Sequence, residues 1–411
     1  MKINSLRNNT TLKIMFEDTM RETFITKFEN ASLTGRNIYY PNCLIQYEGK
    51  LINPYDERVM SLKKDTFYDN NEWGEYQKLE PTQIEETPCY FFIYNVDNYY
   101  HFLYDTLSLL YGFFEIKKYT PNLKLLLNTS HPTKTLFAPF IKEFLEKLGA
   151  GDYLIANNET CYKELYVPTS ITHGQKSNSP PSLLAYSVWN RLETDIVDTP
   201  KRFYISRRSW IHGKKDNIGT NYTERRKCLN EDRLVDLLKK YNIQEVFTEL
   251  LTTEEKIAYF KNAEIIVGVV GGGMCNILFS PSKTKALCIN TPYFLEINER
   301  FKHSMNHTNI IYSDSTYHEK IDYKFRLYSR VKIINPTSQY YNCIGEIEMY
   351  ENILYTISLS SNDIAGFSQN FQLKKEKFNE DELEAVDFGL NSPYICDLNK
   401  LEQDLKKMLL K

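Results

Sequence analysis

From Cys89 onward the chain alternates short apolar runs with longer segments whose apolar residues recur at helical spacing. Residues 89–94 read as a strand, and 99–116 place Leu103, Leu107, Leu110 and Phe114 on one helix face. Residues 123–127 read as a strand and 134–148 as a helix stopped by Gly149. Strands at 153–155 and 164–167 follow, then a helix at 182–192. Strand, helix, strand in this order predicts a parallel sheet, because parallel neighbours need a long crossover that a helix supplies. A second alternating set comes after 195–201, which has the composition of a linker. Its strands fall at 202–206, 244–247, 264–269 and 285–289, and its helices at 231–241 and 253–262, with another starting within 273–279.

The flanks differ. Residues 1–88 carry mixed signals: short strands at 37–40 and 43–47, a turn at 48–50, a strand resuming at 51–52 and a polar loop over 65–88. From about 330 the pattern becomes hairpin-like, with strands at 345–349 and 353–357, and a helix at 398–410 closes the chain. We therefore expect an α/β protein in three parts. Residues 1–195 form a Rossmann-like half with a β-rich start, 196–330 a second Rossmann-like half, and 331–411 an extension of hairpins and a final helix. Two such halves facing one another make a cleft, the usual place for a nucleotide-linked ligand.

Composition removes several function classes. The 411 residues carry 50 Lys and Arg against 53 Asp and Glu, a formal charge of −3, so the phosphate-neutralising excess of a nucleic-acid binder is missing. No run approaches the ~20 apolar residues that span a bilayer, and the first nine residues lack the apolar core of a secretory signal. Eight Cys contain no C-x-x-C pair, which disfavours metal and redox clusters and fits a reducing cytoplasm. The 31 Tyr and 23 Phe suit a half-wet cleft for polar, ring-shaped ligands.

Four segments could carry chemistry. In Ile265-Ile266-Val267-Gly268-Val269-Val270-Gly271-Gly272-Gly273-Met274-Cys275-Asn276 a buried strand runs into three glycines and then a helix. Without Cβ atoms the amides of Gly271, Gly272 and Gly273 can approach a ligand, and a helix N-terminus adds partial positive charge, an arrangement suited to a diphosphate. The spacing is neither the dinucleotide G-x-G-x-x-G nor a P-loop. Next, Tyr204-Ile205-Ser206-Arg207-Arg208 puts two arginines just past a strand end, with Arg226, Asn230 and Glu231 further on. Guanidinium groups there would lie at the carboxyl edge of the sheet and grip phosphate bidentately. A solvated surface pair is the equal alternative for these arginines. The 208–230 stretch reads as an ordered loop at the ligand, and 169–181 as a surface loop over the site.

In the third segment, Asn98 to Asp105, His101 and Asp105 share a helix face at i, i+4 and Asn98 can cap that helix. A carboxylate beside an imidazole holds its tautomer and raises its basicity, as a general base requires. For a single H-x-x-x-D taken alone, a surface pair or a satisfied core histidine is the simpler explanation. The fourth is Glu296, placed after a strand where it could accept from ribose hydroxyls.

In this order the segments resemble glycosyltransferase family 61, over roughly residues 88–300. Asn98, His101 and Asp105 stand at an N-x-x-H-[FW]-x-x-D pattern, Tyr204, Ser206 and Arg207 at a strand ending in Y-I-S-R, Arg226, Asn230 and Glu231 at R-x-x-x-N-E, and Gly271, Gly273, Asn276 and Phe279 at the glycine segment. The resemblance implies a GT-B arrangement and an inverting sugar transfer from a nucleotide-sugar, UDP-linked, to a hydroxyl of a glycan or glycoconjugate. It implies His101 or Asp105 as base, with Arg207, Arg208 and the glycine amides on the departing diphosphate and Asn276 on the nucleotide or on the loop itself. No cofactor or metal is expected, and no D-x-D triplet occurs. No nucleic acid is an expected partner; peripheral association with a membrane stays open. One departure matters: where the family carries His-Gly-Ala this chain has Val270-Gly271-Gly272. The contact that histidine would make falls to Arg207 or Arg208, and a fold-retaining scaffold without turnover is the alternative.

Overall fold

A computed structural model describes residues 5–8, 11–17, 23–36, 41–52, 80–93, 98–128, 138–157, 159–172, 181–208, 226–292, 299–305, 309–318, 324–351, 353–359, 374–387 and 392–410. The expected strand at 37–40, most of the loops at 65–88, 169–181 and 208–230, and Glu296 lie outside them.

The first sheet is mixed. Its strands are β1 (Ser5–Asn8), β2 (Thr11–Phe16), β3 (Thr23–Arg36), β4 (Pro41–Tyr47), β5 (Lys50–Ile52), β6 (Gln83–Glu85), β7 (Cys89–Phe91), β8 (Lys124–Leu127), β9 (Tyr153–Ile155) and β10 (Thr160–Pro168). They run β1-β2-β3-β10-β7-β8-β9, with β4 and β5 continuing from β3 and β6 alongside β10. β7 pairs in parallel with β8 and β10, and β8 with β9, as strand–helix alternation predicts. β3 then adds antiparallel to β10 and joins the N-terminal strands to the same sheet. Side chains of β7 alternate between two apolar layers: Tyr90 faces one, Cys89 and Phe91 the other.

The second sheet is wholly parallel. It contains β11 (Arg202–Ile205), β12 (Gln244–Val246), β13 (Ile265–Val269), β14 (Lys285–Ile289) and β15 (Ile310–Ser313), in the order β12-β11-β13-β14-β15. The first strand in sequence therefore sits second in space, the doubly wound arrangement of Rossmann-like sheets, and the order reverses between β11 and β13.

A short ladder pairs β16 (Thr316–Tyr317) with β22 (Ile395–Cys396). Between them lies an antiparallel sheet of β17 (Arg330–Ile333), β18 (Ile344–Glu351), β19 (Leu354–Leu359), β20 (Lys374–Asn379) and β21 (Leu383–Asp387), with a core of its own around Val331, Ile347 and Ile357. The final helix, Leu398–Leu410, departs from the expected grouping with these hairpins. Leu401, Leu405 and Met408 recur at helical spacing and join the core of the second parallel sheet. Among the described residues no helix is long and apolar enough to cross a membrane.

The mixed first sheet and the parallel second sheet share one continuous apolar core. The segment Tyr99–Lys117 shows why. It is a single helical run but not a uniform α-helix: an α turn at Tyr99–His101 passes into a π segment, Phe102–Thr106, and a 3-10 segment, Leu107–Tyr111. Every residue from Phe102 to Tyr111 is buried, so this run is surrounded by protein rather than amphipathic. The helix Pro139–Lys147 lies beside it. Phe144 packs its ring near Tyr99 (6.2 Å between centroids), Phe102 (6.0 Å) and, across the seam, Phe279 (6.1 Å). Lys147 and Glu254 form an ion pair over the same seam. Phe144→Ala should cost about 3–5 kcal/mol, the range for a fully buried aromatic truncated at a site that cannot collapse. Urea denaturation checks this, and a loss under about 1 kcal/mol would show that the seam is not the packed core described.

Candidate functional site

The carboxyl ends of β11 and β13 flank the point where strand order reverses, and there doubly wound sheets bind their ligands. β11 delivers Ser206, Arg207 and Arg208; β13 delivers Val270 and the three glycines. The two chain ends meet. Gly271 adopts φ +153°, which L side chains avoid, and a Cβ on it would sit 3.3 Å from Arg207 Nη1 and 3.7 Å from both terminal nitrogens of Arg226. Two guanidinium groups thus converge on one bare α-carbon. Like charges held this close favour an anion among them.

Each glycine does something different. At Gly273 a Cβ would fall 2.9 Å from the Ile205 side chain, so this residue lets the bend pack on β11, whereas Gly272 has open space around it. The helix expected after the glycines is present, but it is short and of the 3-10 type. Met274–Phe279 spans six residues, all of them buried, so it offers little macrodipole at the glycine bend.

Glu231 organises the arginine side. It is almost fully buried at the start of the helix Glu231–Lys239, and its Oε1 accepts from Tyr204 Oη (2.9 Å), Ser206 Oγ (3.0 Å) and the Arg207 backbone N–H (2.9 Å). Burial raises its pKa, and the hydrogen bonds from Arg207, Tyr204 and Ser206 only partly offset that. It therefore shapes the end of β11 from inside.

Arg207 and Arg208, alike in the sequence, have different fates. Arg208 grips Glu245 bidentately, Nε to Oε1 at 2.6 Å and Nη2 to Oε2 at 2.7 Å, and also bonds Asp232. The Glu245 hydrogen bond is the largest cause of a raised pKa at Arg208. At Glu245 burial is the largest single influence and pushes upward, but the Arg208 and Ser206 hydrogen bonds and the nearby cations together leave it lowered. Arg208 is thus a structural ion pair rather than a phosphate hand, which corrects the expectation for it. Arg226, buried, takes φ +54° and donates from Nη1 to the Val270 carbonyl at 3.4 Å. Asn230 turns away from the arginines: its amide donates to the Cys396 carbonyl (2.8 Å) and accepts from the Cys396 N–H (2.9 Å). That places it on a C-terminal strand instead of on a ligand.

On the other side of the seam, Asn98 caps the first helical turn through its Oδ1, which accepts from the His101 N–H at 3.3 Å. Its side chain is engaged there. His101 Nδ1 lies 2.9 Å from Asp105 Oδ2, and Asp105 Oδ1 accepts from Thr172 Oγ1 at 3.2 Å. The imidazole is 37% exposed while the carboxylate is 1% exposed. If Asp105 is ionised its carboxylate can only accept, so Nδ1 would donate to it and leave the Nε2 lone pair facing outward. Asp105 sits in the π segment, a helix distortion frequent at functional sites. Thr169–Thr172, expected on the surface, is buried and supplies the partner to Asp105.

Tyr99 links the two motifs. Its hydroxyl donates to Asn276 Oδ1 at 2.6 Å, and Asn276 Nδ2 donates to the Gly273 carbonyl at 3.0 Å. Of the two roles weighed for Asn276, nucleotide contact and loop fixing, its buried geometry is that of fixing the loop. Lys256 lies with Nζ 5.3 Å from the Tyr99 ring centre, and burial lowers its pKa. Tyr99, Thr172, Glu245 and Lys256 were not read from the chain. Each acts through a residue distant in sequence, and only the pairing of elements reveals it. Among the described residues no group of three or more His, Cys, Asp or Glu could hold a metal ion.

Residues 99–287 match the family model described as Glycosyltransferase 61. The EGF domain-specific O-linked N-acetylglucosamine transferase of Drosophila melanogaster is 23% identical over 224 residues, which cover 48% of this chain and 40% of that protein. The chain thus spans well under half the length of this curated relative.

Because folding raises the pKa of Glu231, its ionisation weakens the native state: the contribution is complete below the unfolded value of about 4.3 and is lost as pH rises through the folded value. Glu231→Gln keeps an acceptor for the three donors and removes the titration. The stability of wild type relative to this variant should therefore fall as pH rises from about 4 to 7. Denaturant titrations across that range read the difference, and a pH-independent gap would disprove the burial penalty.

Proposed function

Residues 99–287 are a glycosyltransferase 61 region, and on that premise we propose that the chain moves a sugar from a UDP-linked donor to a hydroxyl of a glycan or glycoconjugate, with inversion, in a GT-B arrangement. The observation that carries this reading is the convergence of Arg207 and Arg226 on the bare face of Gly271, at the point where strand order reverses. The second parallel half, with the final helix packed on it, holds the nucleotide; the first half presents the acceptor.

The chemistry divides among these groups. His101 Nε2 takes the proton of the acceptor hydroxyl, with Asp105 holding the ring and stabilising the imidazolium that forms. The acceptor oxygen bonds to the anomeric carbon as the bond from that carbon to the diphosphate oxygen breaks, and its electron pair leaves on the diphosphate. Arg207, Arg226 and the amides of Gly271 and Gly272 meet that charge in fixed positions, so little reorganisation is needed. The two guanidinium groups do the neutralising that a divalent cation does in metal-dependent transfer, so turnover persists in chelator. The N-acetylglucosamine in the name of the Drosophila relative makes UDP-N-acetylglucosamine the first donor to try.

Val270, standing where the family has histidine, favours a second reading: a binding protein that keeps the nucleotide and lacks turnover. One experiment separates the two. Turnover of UDP-sugars is read as released UDP, and UDP binding by calorimetry. Arg207→Ala should lose on the order of 10²–10³ in kcat, and His101→Ala about 10² or more while still binding UDP. UDP binding without turnover in wild type supports the second reading; wild-type turnover in Arg207→Ala refutes the first.

A further inference from the structure

The family match ends at residue 287, yet a segment beyond it is built into the arginine site. Residues 392–397 run beside residues 227–230. The Leu229 N–H donates to the Tyr394 carbonyl (2.8 Å) and the Tyr394 N–H to the Lys227 carbonyl (3.0 Å), around a parallel bridge between Cys228 and Tyr394. One step on, the Asn230 side chain imitates a strand neighbour by bonding both the N–H and the carbonyl of Cys396. The far edge of the segment is held as well: β22 pairs with β16, and the Asp397 N–H donates to the Ser315 carbonyl at 2.6 Å. Tyr394 itself is fully buried.

These contacts fall on the residues that place both guanidinium groups. Arg226 immediately precedes Lys227, whose carbonyl the segment engages. Glu231 immediately follows Asn230, and its Oε1 holds the backbone N–H of Arg207. A backbone at φ +54°, as Arg226 has, is kept only where its surroundings over-determine it.

We propose that residues 392–397 form a strap that sets Arg207 and Arg226 at the glycine bend, and that Asn230 is the positioning residue through which it acts. This rests on the diphosphate reading above for its consequence in binding, but not for the coupling itself.

The test uses the full chain carrying Asn230→Ala, with the milder Asn230→Asp, which keeps the acceptor for Cys396 N–H and loses the donor, in case the first does not fold. Hydrogen exchange at the Arg207 amide should quicken about tenfold or more, since the Glu231 carboxylate that holds it is released. By calorimetry, UDP affinity should fall about tenfold while UMP affinity stays within about twofold, because the arginines serve the added phosphate. A general loss of folded structure would weaken both nucleotides alike, and that result overturns the proposal, as does unaltered exchange at Arg207. If wild type binds neither nucleotide and exchange still quickens, the diphosphate reading fails while the coupling stands.

Discussion

A buried carboxylate is unfavourable unless several donors converge on it, and the second half of this molecule is arranged around one. Glu231 Oε1 draws the Tyr204 hydroxyl, the Ser206 hydroxyl and the Arg207 amide to a single point. Because two of these donors lie on the chain just past β11, their convergence dictates how that strand ends. The Arg207 backbone is tied inward, and its side chain reaches toward Gly271. Two glycines supply the fit, Gly271 by a backbone angle closed to other residues and Gly273 by yielding room to Ile205. A rigid scaffold of this kind suits a group that must hold charge without rearranging.

The first half contributes a differently built element. Its helical run is buried on all sides from Phe102 to Tyr111, and it changes pitch in the region that carries Asp105. With Asp105 sealed in and His101 at the edge, the pair separates an orienting group from an accessible one. The bond from Tyr99 to Asn276 ties this run to the glycine segment, and the aromatic packing of Phe144 and Phe279 surrounds the contact. The seam is a continuation of the core, so the relation between the histidine and arginine sides is set by packing as well as by single bonds.

Much of the architecture was legible in the chain because it rests on local pattern. The helix at 398–410 and the strands at 153–155 and 285–289 coincide with their expected bounds. β3 was not read. Thr23, Phe24, Ile25 and Thr26 are all buried, so the alternation that marks a half-exposed strand is lost there. Arg207 and Arg208 show the same limit at the site. Nothing in two adjacent arginines distinguishes them, and successive side chains past a strand end leave in different directions. One meets the glycine bend and the other meets Glu245, a neighbour only because β12 pairs with β11.

Periodicity and residue type thus decided which segments from Cys89 onward are strands and helices, that parallel strand pairs form in both halves, and which motifs could hold an anion or a proton. Those properties belong to a few consecutive residues, and burying one face is enough to express them. Which arginine reaches the bend, which amide ties a strap and which threonine completes a histidine–carboxylate pair depended on contacts between residues remote in sequence. Such contacts arise only when the sheets have ordered their strands and the core has closed, because their geometry is a property of the packed whole.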